Sequence, residues 1–204
     1  MVNLFLLLSL LQEVLSIKVL QFESSSDGRI SYDILTESTP LPPLFTLCST
    51  FRESHIYAGN GFFIIYGSSG DPWMTLSNWA SDHQIVMWLK INTFWVKVRD
   101  IPTHWMNSWI NVCIETDTTT GNISVLVNEN PPLSFDVPEL TIKTPNNLKE
   151  SLYIGLFDVN FGRRQFQGEV ANFNIFSGKH LIKRNCDDHG DIVNKTLSGS
   201  VLVL

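Results

Sequence analysis

The sequence predicts an all-β protein in which two antiparallel sheets pack face to face. Short apolar runs are separated at regular intervals by turn residues, and no stretch after residue 16 shows a long helical period. Aromatic residues, which strands favour, are abundant: 13 Phe, 6 Trp and 4 Tyr. Two cysteines lie in separate strand-like runs, which is typical of a sandwich held by a long-range disulfide.

The first 16 residues have the features of a secretory signal peptide. Residues 4–11 are almost entirely Leu and Phe, and Val14-Leu-Ser16 ends in the small residue that a signal peptidase needs. No Lys or Arg precedes the apolar run, so an uncleaved anchor is the alternative, although the run is too short to cross a bilayer. We therefore expect residues 1–16 to be removed and residues 17–204 to form a single secreted domain without a membrane span.

Charge and glycosylation motifs agree with an extracellular protein. The formal net charge is −6, and acidic and basic residues are interspersed rather than grouped, which argues against a nucleic-acid partner. Asn122-Ile-Ser124 and Asn194-Lys-Thr196 are both N-glycosylation motifs, so we expect glycans on Asn122 and Asn194.

The N-terminal half supplies three strand-like runs in order. Residues 28–35 alternate apolar and polar side chains, as a half-buried strand does. The prolines of residues 39–43 interrupt regular pairing, and the apolar strand around Cys48 follows at once. Phe62-Phe-Ile-Ile-Tyr66, bounded by glycines, is typical of a strand buried on both faces.

The C-terminal half continues the same pattern. Residues 83–90 and 93–99 are predicted to form a hairpin with its turn at Ile91-Asn92. Further strands are predicted in the order of the chain at residues 109–115, 123–127, 152–157 and 166–176, with a polar loop at residues 158–165.

Cys48 and Cys113 are the predicted disulfide pair. Each lies inside a strand-like run, and a secreted protein matures where disulfides form. The alternative is that both are reduced and act as small buried apolar residues. Cys186 has no obvious mate, so it is either free or joined to another chain.

Catalytic and zinc chemistry are weakly supported. Glu115 and Asp117 have the alternate spacing that places two carboxylates on one side of a strand, as glycoside hydrolysis requires. However, Thr118-Thr-Thr-Gly121 follows, so solvated acids at a hairpin turn are the preferred interpretation. Cys186 and His189 supply only half of a zinc site. We therefore predict no catalytic residues.

Five segments, taken together, resemble pentraxins and related laminin G-like domains. The segments occur in the same order as in that family: Phe45-Thr-Leu-Cys48, the Trp109 to Cys113 strand with Val125-Leu-Val-Asn128 after it, Leu152-Tyr-Ile-Gly155, Phe161-Gly162 and Gly168-Glu-Val-Ala-Asn-Phe-Asn-Ile-Phe176. The resemblance covers most of residues 30–180. It implies a concanavalin-like jelly roll with a Cys48–Cys113 disulfide, secreted and often oligomeric. It also implies binding of carbohydrate, phosphorylated headgroups or proteins through calcium.

The sequence departs from that family at the calcium loops. Of an Asp-Asn pair only Asn60 remains, and the second loop offers Asp158 and Asn160 beside two arginines, Arg163 and Arg164. Calcium needs six to eight oxygen ligands, and one carboxylate near two guanidinium groups is a poor site. We therefore expect a degenerate calcium site and no cofactor, with calcium binding as the alternative and ordinary turn chemistry as the other role of these residues.

Four side chains are candidates for ligand binding. Trp73 and Trp79 lie in a polar segment, residues 67–82, that is predicted to be a loop, and exposed tryptophan stacks well on sugars. Arg163 and Arg164 lie in the loop where the resembled family binds ligands, and guanidinium groups suit carboxylate or phosphate. The alternatives are tryptophans buried by a folded-back loop and arginines that are simply solvated.

Together these features predict a secreted lectin-like protein that binds carbohydrate or anionic ligands and is not an enzyme. The expected partner is an extracellular glycan or protein, and the resemblance adds homo-oligomers. The first alternative is an adhesion or matrix module that binds protein without sugar, and a glycoside hydrolase is a more distant one.

Overall fold

The computed structural model describes residues 19–22, 41–55, 60–80, 84–141, 152–155 and 166–178. Within these ranges the chain forms eleven strands and two short 3-10 helices, Thr103–Trp105 and Pro138–Thr141. The strands are β1 Val19–Phe22, β2 Leu44–His55, β3 Asn60–Tyr66, β4 Pro72–Ala80, β5 Ile85–Ile91, β6 Phe94–Ile101, β7 Trp109–Asp117, β8 Asn122–Val127, β9 Leu133–Asp136, β10 Leu152–Ile154 and β11 Gln167–Ser177.

The strands form two antiparallel sheets. The six-stranded sheet has the order β1-β11-β2-β7-β8-β9, and the five-stranded sheet has the order β10-β3-β4-β5-β6. Every pairing between neighbouring strands is antiparallel. The all-β, two-sheet jelly-roll prediction is confirmed.

The core lies between the sheets because apolar side chains on the inner positions of the strands meet there. In β7, Ile110, Val112 and Ile114 are buried at every second position, and in β2 Phe45 and Phe51 lie on the same inner side. The side chains between them point to the outer faces of the sandwich. This alternation fixes which residues each outer face presents.

Two strand predictions are confirmed in detail. The run at residues 62–66 lies in β3, which is buried along nearly its whole length. The predicted hairpin forms from β5 and β6, which pair from Ile85↔Ile101 to Ile91↔Phe94. Its turn lies one residue later than expected, at Asn92-Thr93, and Asn92 has the positive φ (50°) that such a turn requires.

The prediction of a loop at residues 67–82 is wrong for most of its length. Residues 67–71 connect two strands, but Pro72–Ala80 is β4, a central strand of the five-stranded sheet. Its Thr75, Ser77 and Asn78 are polar yet buried. Because polar residues usually mark loops, their burial within a sheet concealed this strand.

Cys48 and Cys113 form a disulfide, as predicted. The two residues stand directly opposite each other on β2 and β7, with their Cα atoms 4.1 Å apart. The bond therefore joins neighbouring strands of one sheet rather than the two sheets. Trp109, four residues earlier in β7, points to the same outer face, and the guanidinium carbon of Arg52 lies 4.9 Å from the centroid of its ring.

Several predictions fall outside the described residues. These are the signal peptide at residues 1–16, the strand at residues 28–35, the loop at residues 158–165 with Asp158, Asn160, Arg163 and Arg164, and Cys186, His189 and Asn194. Among the residues that are described, no helix has the length and apolar character needed to span a membrane.

Candidate functional site

Three tryptophans meet on the outer face of the five-stranded sheet. They come from three consecutive strands: Trp79 from β4, Trp88 from β5 and Trp95 from β6. Trp88 lies between the core residues Met87 and Leu89, and the strand register places Trp79 and Trp95 on the same face as Trp88, so all three point away from the core. We refer to Trp79, Trp88 and Trp95 as the tryptophan cluster.

The indole rings of the cluster pack edge to face. The ring centroids of Trp79 and Trp95 are 6.5 Å apart with an interplanar angle of 85°, and those of Trp88 and Trp95 are 6.4 Å apart at 83°. Aromatic pairs favour this geometry and hold each other in place. Trp95 keeps 37% of its surface exposed, while Trp79 and Trp88 are half-buried. Trp95 therefore gives the cluster an ordered aromatic ring that a ligand can reach.

Lysines alternate with the tryptophans across β5 and β6. Lys90 stands opposite Trp95, and Lys97 stands opposite Trp88. The ammonium of Lys90 lies 5.4 Å from the centroid of the Trp95 ring, within the range of a cation–π interaction. Lys97 forms an exposed ion pair with Asp100 at 2.8 Å.

The two tryptophans that were predicted from the sequence to bind ligand lie in different parts of the structure. Trp79 belongs to the cluster, whereas Trp73 is fully buried and its ring packs 6.4 Å from that of Phe45 in the core. A ring without exposed surface cannot stack on a sugar, so Trp73 is a core residue and is not part of the candidate site. Sequence reasoning missed Trp88 and Trp95 as site residues, although their alternation with apolar neighbours signalled outward positions.

A group of polar side chains lies inside the sandwich. Glu53 of β2 is 3% exposed, and its carboxyl accepts hydrogen bonds from the side-chain amides of Asn60 at 2.6 Å and Asn78 at 2.8 Å. Burial raises the pKa of Glu53 to about 7, although the two amide hydrogen bonds act in the opposite direction. We refer to Glu53, Asn60 and Asn78 as the buried polar cluster.

Asn60, the first calcium candidate, lies inside the sandwich. Its side chain is fully buried and donates its amide to the Glu53 carboxyl. Asp158 and Asn160, the other two candidates, lie outside the described residues. In the described part of the chain, no three His, Cys, Asp or Glu residues are grouped so that they could hold a metal ion.

Two predicted surface residues lie near the β7–β8 turn. The Asp117 carboxylate accepts hydrogen bonds from the Thr119 hydroxyl at 2.5 Å and from the Thr119 and Thr120 amides at 3.0 and 3.2 Å. The Thr119 hydroxyl is the main reason that the pKa of Asp117 is lowered. Asp117 therefore caps a turn. Asn122, the first glycosylation candidate, is exposed beside it.

No protein-family model and no curated protein sequence matches the chain. Solved structures do match. A heptameric SAP-like pentraxin from Limulus polyphemus matches with a TM-score of 0.59 and 15% identity, over 79% of this chain and 76% of the pentraxin.

Two further matches are parts of larger proteins. The extracellular region of zebrafish Gpr126/Adgrg6 matches with a TM-score of 0.57 and 18% identity, over 76% of this chain and 21% of that one. Domains LG4-5 of the mouse laminin α1 chain match with a TM-score of 0.52 and 14% identity, over 79% of this chain and 41% of theirs. At identities this low, the structural matches show a shared fold alone.

Proposed function

We propose that this jelly-roll sandwich, whose fold is that of pentraxins and laminin G domains, is a secreted lectin-like module that binds carbohydrate and catalyses no reaction. The observation that carries the proposal is the partly exposed tryptophan cluster on the five-stranded sheet, with Trp95 as its exposed member. Indole rings offer sugars a flat apolar face for their C–H groups and an N–H donor at the edge.

The position of the cluster on strands supports recognition rather than core packing. Trp79, Trp88 and Trp95 lie on the side of the sheet opposite the core between the sheets, and Trp95 is exposed there. Their mutual edge-to-face contacts fix the rings before a ligand arrives. Because a preorganised surface loses little entropy on binding, such a site suits a weakly held, flexible glycan.

Secretion is supported by three features. The Cys48–Cys113 disulfide is of a kind that persists in oxidising compartments. The predicted signal peptide supplies the route of export, and exposed Asn122 is accessible to glycosylation. Detection of the protein in the culture medium of expressing cells, with Asn122 glycosylated, tests this part of the proposal.

A glycan array tests the sugar-binding function. We expect the wild-type protein to bind a restricted set of glycans and Trp95→Ala to lose that binding. The matched control is Trp109→Ala, because Trp109 is 39% exposed but lies on the other sheet. Loss of binding in both variants, or in neither, contradicts a site at the tryptophan cluster.

The second candidate function is binding of a protein partner without sugar. It is favoured by Phe94 and Trp95, which are adjacent, exposed and located on β6, the last strand of the five-stranded sheet. Exposed aromatic residues are common at protein interfaces. This function is supported if the wild-type protein binds no glycan but binds an extracellular protein, and if Trp95→Ala abolishes that binding.

A further inference from the structure

The outer face of β5 and β6 carries a repeating arrangement of aromatic and cationic side chains. Trp88 faces Lys97 across the strand pair, and one step further along Lys90 faces Trp95. Each tryptophan therefore has a lysine directly opposite it, and along each strand a tryptophan and a lysine are two residues apart. Directly opposite residues on one face are within contact distance.

The charge of this face is suited to an anion held against an aromatic ring. Lys90 already positions its ammonium 5.4 Å from the Trp95 ring centroid. Lys97 is paired with Asp100, but both side chains are about half exposed, at 46% and 58%, and exposed ion pairs contribute little stability. A ligand carboxylate or sulfate can replace such a pair at small cost.

We infer that the ligand of this surface is an acidic saccharide, whose ring contacts the tryptophan cluster while its carboxylate or sulfate is held by Lys90 and Lys97. A neutral sugar offers no anionic group to Lys90 or Lys97. A simple anion such as phosphate leaves the indoles unused. An acidic sugar engages both parts of the surface at once. The inference rests on the proposed carbohydrate-binding function and specifies its ligand class.

The test uses two ligands that differ at one carbon. Methyl β-D-glucuronide and methyl β-D-glucoside share the same ring, and only the glucuronide carries a carboxylate at C6. Tryptophan fluorescence or NMR titration against the wild-type protein gives both affinities. We expect the glucuronide to bind roughly tenfold more tightly, as charge-assisted hydrogen bonds imply, and added salt to reduce this preference.

Variants assign the preference to the lysines. Lys90→Gln and Lys97→Gln retain a polar side chain one atom shorter than lysine and remove its charge, so each should lower glucuronide affinity about threefold or more and reduce the preference over the glucoside. Arg52→Gln is the control, because it removes an exposed cation from the other sheet, where Arg52 pairs with Glu169. N-acetylneuraminic acid and glucose 6-sulfate, titrated in parallel, distinguish carboxylate from sulfate recognition.

The outcomes separate the two levels of inference. Equal affinity for glucuronide and glucoside, with both abolished by Trp95→Ala, overturns the acidic ligand but retains sugar binding. If the protein binds neither these two ligands nor any glycan on the array, the proposed function itself is overturned. A glucuronide preference that persists in the Lys90→Gln and Lys97→Gln double variant places the anion elsewhere and overturns the inference.

Discussion

Asn60 and Asn78 stand directly opposite each other on β3 and β4, and each donates its side-chain amide to a different oxygen of Glu53. Glu53 belongs to β2 of the six-stranded sheet, so this contact connects the two sheets through their interior. A buried carboxyl is costly when ionised, which is why its protonation affects the stability of the whole sandwich.

Because the carboxyl of Glu53 is buried, we expect the folded protein to become less stable as pH rises. The pKa of Glu53 is about 7 in the folded protein against 4.5 as its ordinary value, so the folded state binds this proton more tightly than the unfolded state. The stabilisation of the folded state by protonated Glu53 is complete below about pH 4.5 and is lost as pH rises through 7. A difference of this size corresponds to roughly 3 kcal/mol.

Glu53→Gln measures that contribution. The variant mimics the protonated side chain, so its free energy of unfolding relative to wild type should increase by roughly 3 kcal/mol between pH 4.5 and pH 8. Urea denaturation at a series of pH values gives the difference. Glu129→Gln, which removes an exposed carboxylate from a turn, controls for net charge. Parallel pH curves for Glu53→Gln and wild type would contradict the prediction.

Trp73→Ala should mainly reduce stability, whereas Trp95→Ala should mainly reduce ligand binding. Trp73 is fully buried, so its truncation should cost about 3–5 kcal/mol of stability. Trp95 is partly exposed, so its truncation should cost less than about 1 kcal/mol while it removes ligand binding. Chemical denaturation beside a binding assay checks both. A stability loss at Trp95 as large as that at Trp73 would make Trp95 a structural residue.

Reduction of the disulfide should destabilise the protein by about 4 kcal/mol. Cys48 and Cys113 are 65 residues apart, and closing a loop of that length restricts the unfolded chain. Denaturation with and without reductant measures the effect, and the Cys48→Ala/Cys113→Ala double variant should be insensitive to reductant. Peptide mapping without reduction should show no Cys186 in this bridge, and a bridge that includes Cys186 refutes the pairing.

Gly168→Ala should destabilise the six-stranded sheet. A Cβ atom at Gly168 would overlap the backbone carbonyl of Arg52 on the neighbouring strand β2, so the strands must separate. We expect a loss of about 1–3 kcal/mol or more. Gly70→Ala is the matched control, because Gly70 also has a positive φ but open space around it. Equal losses in the two variants would show that backbone conformation, not the close approach, sets the cost.

Calcium removal should leave the melting temperature unchanged. Asn60 is buried beside Glu53, and the sequence gives the remaining candidates, Asp158 and Asn160, only one carboxylate. A calcium ion at a hundred times its dissociation constant would add about 2.7 kcal/mol, which is a shift of several degrees. Thermal unfolding in calcium and in chelator decides the question. A clear drop in chelator requires a calcium site built from other residues.

Strand alternation allowed most of the described fold to be predicted. The runs that became β2, β5, β6, β7, β8, β10 and β11 combine apolar alternation with turn residues at their ends, whereas β3 was predicted from a continuous apolar run bounded by glycines. The strand β4 was missed because Thr75, Ser77 and Asn78 are buried polar residues, and the strand period alone cannot distinguish them from loop residues.

The candidate site could be predicted only in part. Alternation places Trp88 and Trp95 on outward positions, but it does not reveal which strands become neighbours. The tryptophan cluster depends on β4, β5 and β6 lying side by side, with Trp79 on a strand that was taken for a loop. The burial of Glu53 was not predicted, although Glu53 continues the inward register of Phe45 and Phe51.

The disulfide encloses an unusual stretch of chain. Between Cys48 and Cys113 lie β3, β4, β5 and β6, which are four of the five strands of the other sheet. A protease that cuts any connection in this stretch, such as the Asn92-Thr93 turn, therefore leaves both fragments covalently joined through the six-stranded sheet. In a protease-rich extracellular setting, a nicked molecule would stay in one piece with its tryptophan surface still attached, until a reductant separates the halves.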